Sequence, residues 1–249
     1  MAIAKKRLDQ LICERMPQYS RSQVQSWIMQ GKVFVDDMVV TKSGTMVADD
    51  VAIRLDVDEP KYVGRAGFKL EKALDYFKID VHDYVVLDAG LSTGGFTDCL
   101  LQNGARKVFG VDVGYGQVHE KIRNDDRVIV MEKTNLRNLG TVGELVDLVT
   151  LDLSFISILK VMQAVAGMLK EGGVLITLIK PQFEAGKEQV SRGGIVKDPA
   201  VHVQVIERVT QGIVAYGFEY LGVTESPIEG TMGNKEFLAC FKKITAPMQ

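Results

Sequence analysis

Cysteine and histidine are both scarce in this chain, three of each in 249 residues, and neither is spaced to hold a metal. Cys13, Cys99 and Cys240 lie far apart with no C-x-x-C pair, and His82, His119 and His202 show no ligand spacing. This argues against a structural zinc site or a disulfide framework, so no metal and reduced thiols in a cytoplasmic protein are the expectation. Long apolar runs are missing too. The longest, such as GVLITLIK, has the length of a buried strand and falls far short of the roughly 18 residues of a membrane span. MAIAKKRLDQ at the N-terminus has no apolar stretch of the kind that marks a secretory leader. Nor is there an excess of either charge, with 30 Lys and Arg against 32 Asp and Glu. A surface for nucleic acid must then be a local patch of cations.

The hydrophobic share, 46%, is enough for a sizeable core, and the length suits one or two domains. Residues 1–58 read as a small α+β domain, 59–66 as an acidic, Pro- and Gly-containing linker, and 67–249 as a larger α/β domain. In the first, Leu8, Leu11 and Ile12 give Arg7–Met16 helical spacing. Ser20 then caps a second helix through Met29 that turns Val24, Trp27 and Ile28 inward, and Gly31 closes it. Short β-type runs follow: VFV, MVV and VAIRL. Six cations (Lys5, Lys6, Arg7, Arg15, Arg21 and Lys32) face only Asp9 and Glu14 in residues 1–35. Charge alone favours a solvated helix face over a binding patch.

The strings Arg7-Leu8-Asp9, Ser20-Arg21 and Gly31-Lys32-Val33-Phe34-Val35 resemble the RNA-binding fold of the ribosomal-protein-S4 type. That family prefers Asn-Gly or Asp-Gly where this chain has Asp36-Asp37, which suggests a less regular turn. The resemblance implies RNA contacts from Arg21, Gln25 and Lys32 on the second helix and the turn after it, with Arg7 beside them.

In the larger domain, helices expected at Phe68–Phe77, after Gly95, at Ile156–Leu169 and at Ala200–Tyr216 alternate with strands. The strands are expected at Tyr84–Leu87, Val108–Val111, Val128–Met131, Leu148–Leu151 and Val174–Ile179, with a final β-pair from FEYLGVTESPI and EFLACFKK. Strands apolar on both faces and separated by helices imply a parallel sheet covered on both sides. The first strand breaks at Gly90 into Leu91-Ser92-Thr93-Gly94-Gly95-Phe96, the turn where a doubly wound sheet holds a nucleotide-like ligand. Neither G-x-G-x-x-G nor a phosphate loop is present, so nothing is arranged for pyrophosphate. The next strand ends in Asp112, a carboxylate able to accept both hydroxyls of a ribose.

Four ionisable residues occupy positions suited to chemistry. Asp152 and Lys180 end parallel strands, Lys69 lies in the first helix of the domain, and Glu236 opens the last strand. Each has an ordinary reading as a strand-end charge, an edge charge or a snorkelling lysine. The long polar segment Gln182–Asp198 follows Lys180 and is either an active-site lid or a surface loop.

D-x-G-x-S-T-G-G with Asp112 resembles the S-adenosylmethionine site of Rossmann-like methyltransferases. The ordered set Lys69, Asp152, Lys180, Glu236 is similar to the tetrad of the FtsJ-like ribose methyltransferases. GRAGFKLEKAL, DVGYGQ, TNLRNL, LDLSFIS, LIKPQFEAGK and GGIVKD extend the similarity, and together with the N-terminal domain they identify the chain as a member of the TlyA family. That family joins an S4-like domain to an FtsJ-like methyltransferase, and some members are labelled haemolysins.

The resemblance implies a Rossmann-like sheet and 2′-O-methylation of ribosomal RNA, on cytidine, with ribosomal RNA or ribosomal subunits as partners. Lys180 would be the catalytic lysine, Asp152 would orient it, and Lys69 and Glu236 would position the ribose. S-adenosylmethionine would meet Asp88, Gly90, Ser92, Thr93, Gly94, Gly95, Phe96, Asp112, Val113 and Asn135, while Arg65, Lys187 and Arg192 would add RNA contacts. Leu91 departs from the family's small residue and either crowds the loop or faces the core, and Ala66 stands where Gly is frequent. The alternatives are a non-catalytic RNA-binding or assembly factor and, on the family label, a membrane-lytic protein. The first would lack a member of the tetrad, and the second calls for a long amphipathic or membrane-spanning element.

Overall fold

The computed structural model describes residues 5–17, 19–57 and 60–244. The chain divides into two compact units, Met1–Lys61 and Tyr62–Gln249.

The small unit runs β1 (Lys5–Arg7), α1 (Leu8–Arg15), α2 (Arg21–Met29), β2 (Val33–Val35), β3 (Met38–Val39), β4 (Met46–Ala48) and β5 (Ile53–Leu55). β1 pairs with β4, and β2 lies between β3 and β5. The first helix is thus shorter than expected from its apolar spacing, because Arg7 is spent on a strand, and β4 has no counterpart among the expected strands. Leu8, Leu11, Ile12, Val24, Ile28 and Val33 are fully buried between the helices and the strands. A complete capping box starts α2: the Ser20 hydroxyl accepts from Gln23 N–H, and Gln23 Oε1 accepts from Ser20 N–H. The Asp36-Asp37 turn is regular after all. Both residues have positive φ (48° and 64°), as a two-residue hairpin of the primed type needs, and Val35 pairs directly with Met38. Asp tolerates that backbone, and Asp36 Oδ1 also accepts from Ala52 N–H.

One buried carboxylate organises the cations of this unit. Asp9 is completely buried and accepts from Arg7 (3.0 and 3.1 Å), Arg21 (3.2 and 3.0 Å) and Gln25 (2.8 Å). The Arg7 guanidinium, with Gln25 and Arg21, holds the Asp9 carboxyl well below the usual carboxylate range.

The large unit contains α3 (Gly67–Phe77), β6 (Val85–Ala89), α4 (Gly95–Gln102), β7 (Lys107–Val111), α5 (Glu120–Arg123), β8 (Val128–Met131), β9 (Val146–Leu151), α6 (Met162–Met168), β10 (Leu169–Ile179), α7 (Pro181–Glu184), α8 (Pro199–Val214), β11 (Phe218–Glu225) and β12 (Phe237–Lys243). Seven strands form one sheet in the order β11-β12-β10-β9-β6-β7-β8. β10, β9, β6, β7 and β8 run parallel, and β12 is antiparallel to both its neighbours. Alternate residues of each central strand enter opposite cores. Val85, Leu87, Val149 and Leu175 pack under α6 and α8, while Val86, Leu148 and Ile176 pack under α3 and α4. Among the described residues, no helix is long and apolar enough to cross a membrane.

Three expectations need correction here. The helix expected over 156–169 is a 3₁₀ turn at Ile158–Lys160 followed by the short α6, because Leu169 already pairs with Val146 as the start of β10. The 182–198 segment carries α7, a 3₁₀ turn at Lys187–Gln189 and a Ser191–Ile195 bridge, so it is folded rather than loose. Residues 62–66, read as linker, are built into the large unit. Tyr62 is buried beneath Gly67, and Val63 N–H donates to Asp98 at 2.8 Å.

Asp9→Asn is expected to destabilise the small unit by about 2 kcal/mol, the scale of hydrogen bonds to a buried charge. Because the Asp9 pKa is depressed on folding, its contribution is present above the unfolded carboxylate value near 4 and is lost as pH falls below it. Trp27, the only tryptophan, reports this unit. Its fluorescence should show wild-type stability falling below about pH 4 and approaching that of the variant.

Candidate active site

The sheet register gathers the ionisable side chains. Ala89 pairs with Leu151, and Leu151 pairs with Thr177, so Gly90, Asp152 and the end of β10 share one edge of the sheet. Ile179 pairs with Phe237, which sets Lys180 beside Glu236 although they are 56 positions apart in the chain. Lys180 Nζ lies 2.7 Å from Asp152 Oδ1, off the line of a proper hydrogen bond, and donates to Ser154 Oγ at 2.9 Å. Lys69 Nζ reaches Glu236 Oε2 at 2.5 Å. Lys69, Lys180 and Glu236 are at most 8% exposed. Buried charges of this kind persist only when paired, and here each has a partner. Gly230 lies against the Glu236 carboxylate, where a Cβ would approach Oε1 to 2.1 Å.

Beside this edge is a cavity of about 370 Å³, within the size range of ligand pockets. It opens between β6 and β9, where the strand order reverses, as open α/β sheets place their ligands. Gly90, Ser92, Asp112, Val113 and Asn135 line it, as does Asp152. Gly90 has φ +89°, and a Cβ there would meet the Asp152 carbonyl at 2.3 Å, so only glycine permits this approach of the two strand ends. Asp112 is fixed in place: Oδ2 accepts from Ser92 N–H and Oδ1 from Gly114 N–H, each at 2.7 Å.

The remaining residues expected to hold a cofactor do not line this cavity. Phe96, on α4, points into the core shared with α3, Gly94 packs on Ile122, and Gly95 meets the backbone of 64–67. The Thr93 hydroxyl abuts Gly64 rather than the cavity. Asp88 lies inside the sheet, where its oxygens accept from Thr97 (2.7 Å) and Thr150 (2.9 Å), and burial raises its carboxyl to about 6. Leu91 faces the core, packed on Gly110, so it does not crowd the cavity.

The sequence reading missed the other wall. Gln117, Thr134, and Leu153 through Ile156 also line the cavity. Phe155 is the notable one, 90% exposed with φ +64°, its ring 5.0 Å from that of Phe183. Leu153–Ile156 lie in LDLSFIS, where Asp152 is the only ionisable residue and so the only one that its chemistry marks in the sequence. Arg65, Lys187 and Arg192 are exposed. Arg7, Arg21 and Gln25 converge on Asp9, and Lys32 is half-buried next to α2. Among the described residues, no group of three or more His, Cys, Asp and Glu side chains is placed to hold a metal ion.

Sheet, cavity and glycine turn define the large unit as a Rossmann-like methyltransferase. A solved structure agrees on the fold: a Listeria monocytogenes protein described as an S-adenosylmethionine-dependent methyltransferase, 20% identical, superposes over 73% of this chain and all of its own with a TM-score of 0.56. Residues 62–243 match the FtsJ-like methyltransferase family, and residues 6–52 match the S4 domain. The 16S/23S rRNA (cytidine-2′-O)-methyltransferase TlyA of Mycobacterium tuberculosis is 42% identical over 96% of this chain and 90% of its own length. Hemolysin A of Brachyspira hyodysenteriae is 41% identical over 94% and 99%. A Streptococcus thermophilus structure described as a hemolysin is 41% identical, with a TM-score of 0.74 over 99% of this chain and 91% of its own. The chain belongs to the TlyA family, an S4 domain joined to an FtsJ-like methyltransferase, and is an enzyme of that class.

Asp88 offers a pH test of the sheet beneath the cavity. A carboxyl raised on folding favours the fold below its unfolded value near 4, and that advantage is lost as pH rises through about 6. Asp88→Asn keeps one carbonyl acceptor without the charge. Its stability relative to wild type is expected to rise by on the order of 2–3 kcal/mol between pH 4 and pH 7 in denaturant unfolding.

Proposed function

We propose that this enzyme methylates a ribose 2′-hydroxyl of ribosomal RNA, on cytidine, with S-adenosylmethionine as the methyl donor and Lys180 as the base. The observation that carries the reading is the pairing of Lys180 with Asp152 at the mouth of a cavity built from the glycine turn. The cavity suits the donor: the Asp112 carboxylate is held at its edge for ribose hydroxyls, Asn135 adds a polar amide, and Leu153 and Ile156 supply an apolar wall. When bound, S-adenosylmethionine supplies an electrophilic methyl group.

The residues of the chain do the rest. Asp152 and Ser154 fix the Lys180 amine between them, so that its nitrogen, once neutral, takes the proton of the acceptor hydroxyl as the oxygen attacks. Lys69 and Glu236, locked to each other, provide a rigid donor and acceptor for the other polar atoms of the ribose. Phe155 presents its exposed ring to a nucleobase. The S4 domain supplies RNA affinity through cations set on Asp9 and through Lys32, with Arg65, Lys187 and Arg192 contributing from the large unit. The similarity to an rRNA (cytidine-2′-O)-methyltransferase over 96% of the chain supports the substrate.

Lys180→Ala is expected to lower methyl transfer to ribosomal subunits or ribosomal RNA by at least about 10²-fold. Binding of S-adenosylmethionine should be nearly unchanged, since Lys180 does not line the cavity. Labelled-methyl transfer and calorimetry measure the two, and full activity in the variant removes the assigned base. Lys32→Ala is expected to weaken RNA binding and flatten its salt dependence by roughly one counterion, with no change in cofactor affinity. An unchanged slope in a salt titration takes Lys32 off the RNA surface.

A further inference from the structure

We propose that Glu184 is a positioning residue for methyl transfer, fastening the 153–158 segment to the turn that follows Lys180; the role in transfer rests on the reading above. Glu184 ends α7, four residues beyond Lys180, and is 5% exposed. Both its oxygens are committed to the segment after β9: Oε1 accepts from Ile158 N–H and Oε2 from Ser157 Oγ, each at 2.7 Å. Arg208 on α8 approaches Oε2 at 3.6 Å and donates to the Glu184 carbonyl, which anchors the clamp to the outer layer of the fold. One residue earlier, Phe183 supports the ring of Phe155.

The segment is therefore pinned at both ends. Asp152 N–H donates to the Ala89 carbonyl at 2.9 Å, and Ser157–Ile158 is held by Glu184. Between the pins Leu153, Ser154, Phe155 and Ile156 line the cavity, and Ser154 holds Lys180. Phe155, exposed and in the left-handed region, gains little from burial to hold that shape. Loss of one pin leaves Lys180 its carboxylate partner but lets Ser154 and Phe155 drift. Displacements near 1 Å at a reacting group cost up to about 10²-fold in rate.

The test uses the full chain with ribosomal subunits and labelled donor. It compares wild type, Glu184→Ala, Ser154→Ala, their double variant and Glu184→Gln, and follows amide hydrogen exchange over 153–158. Glu184→Ala is expected to lower kcat about tenfold or more. Glu184→Gln should stay within about threefold of wild type, because its carbonyl accepts from Ile158 N–H and its amide donates to Ser157. The double variant should be no slower than Glu184→Ala, since both changes act through the same segment. If Glu184→Ala does not fold, Ser157→Ala takes its place and must slow transfer without multiplying the Ser154→Ala effect.

Wild-type rates in the truncated variant, or losses that multiply, overturn the proposal. So does unchanged exchange at 153–158 in Glu184→Ala, or in Ser157→Ala where that takes its place, a readout that does not depend on turnover. No transfer by wild type, with exchange raised in the variant, removes the methyl-transfer reading and leaves the clamp.

Discussion

The site depends on one constraint: charges buried at the end of a sheet must arrive already paired. Moving an ammonium or a carboxylate out of water costs several kcal/mol per ion, and a lone buried charge would unfold the region or lose its ionisation. Lys180 is therefore inseparable from Asp152, and Lys69 from Glu236. The register supplies the pairing. β9 and β10 are parallel and end within two residues of each other, whereas β12 is antiparallel to β10 and begins where β10 finishes. An antiparallel last strand is what lets a residue from the far end of the chain join two strand-end residues at the same edge. With a parallel β12, Glu236 would lie at the opposite end of the sheet.

The same edge is shaped by backbone as much as by side chains. Gly90 lets β6 and β9 close against each other, and the Asp112 carboxylate is held by two N–H groups of its own surroundings. Asp88, one position below the main cavity wall, is satisfied by two threonines and stiffens the strand ends from inside. Walls held by backbone and buried hydrogen bonds have little freedom left to lose when a ligand binds.

Much of this was legible from residues, and the limits have physical causes. Strand-end acids and lysines can be read because buried apolar runs stop abruptly at them, and the glycine turn can be read because few other residues adopt its backbone. A motif names consecutive residues, so it takes in Asp88 and Phe96 along with those that line the cavity. On β6 alternate side chains go to opposite faces, which turns Asp88 away from the cavity, while Phe96 lies on the face of α4 that packs into the core. The helix expected at 156–169 failed on the same ground that hides β4: in short segments tertiary pairing overrides periodicity. Phe155 stayed invisible because a hydrophobic residue in an apolar string reads as core. Only its left-handed backbone, which sequence does not display, turns it outward.

Charge counting misleads most in the small domain. Six cations against two acids suggest a strong electrostatic patch, yet Lys6 pairs with Glu14 and Asp49, Arg7 and Arg21 with Asp9, and Arg15 with backbone carbonyls. Among the described residues this leaves Lys5 and Lys32 with neither an ion pair nor a side-chain hydrogen bond. Arg7 and Arg21 remain half-exposed, however, with their guanidinium groups held by a buried acid. Each has donors beyond those given to Asp9, and a guanidinium already fixed in direction loses less entropy on meeting a phosphate than a free side chain does. The domain thus trades total charge for orientation. On the proposed RNA-binding reading, Asp9, an acid that no phosphate would touch, sets the direction of both guanidinium groups.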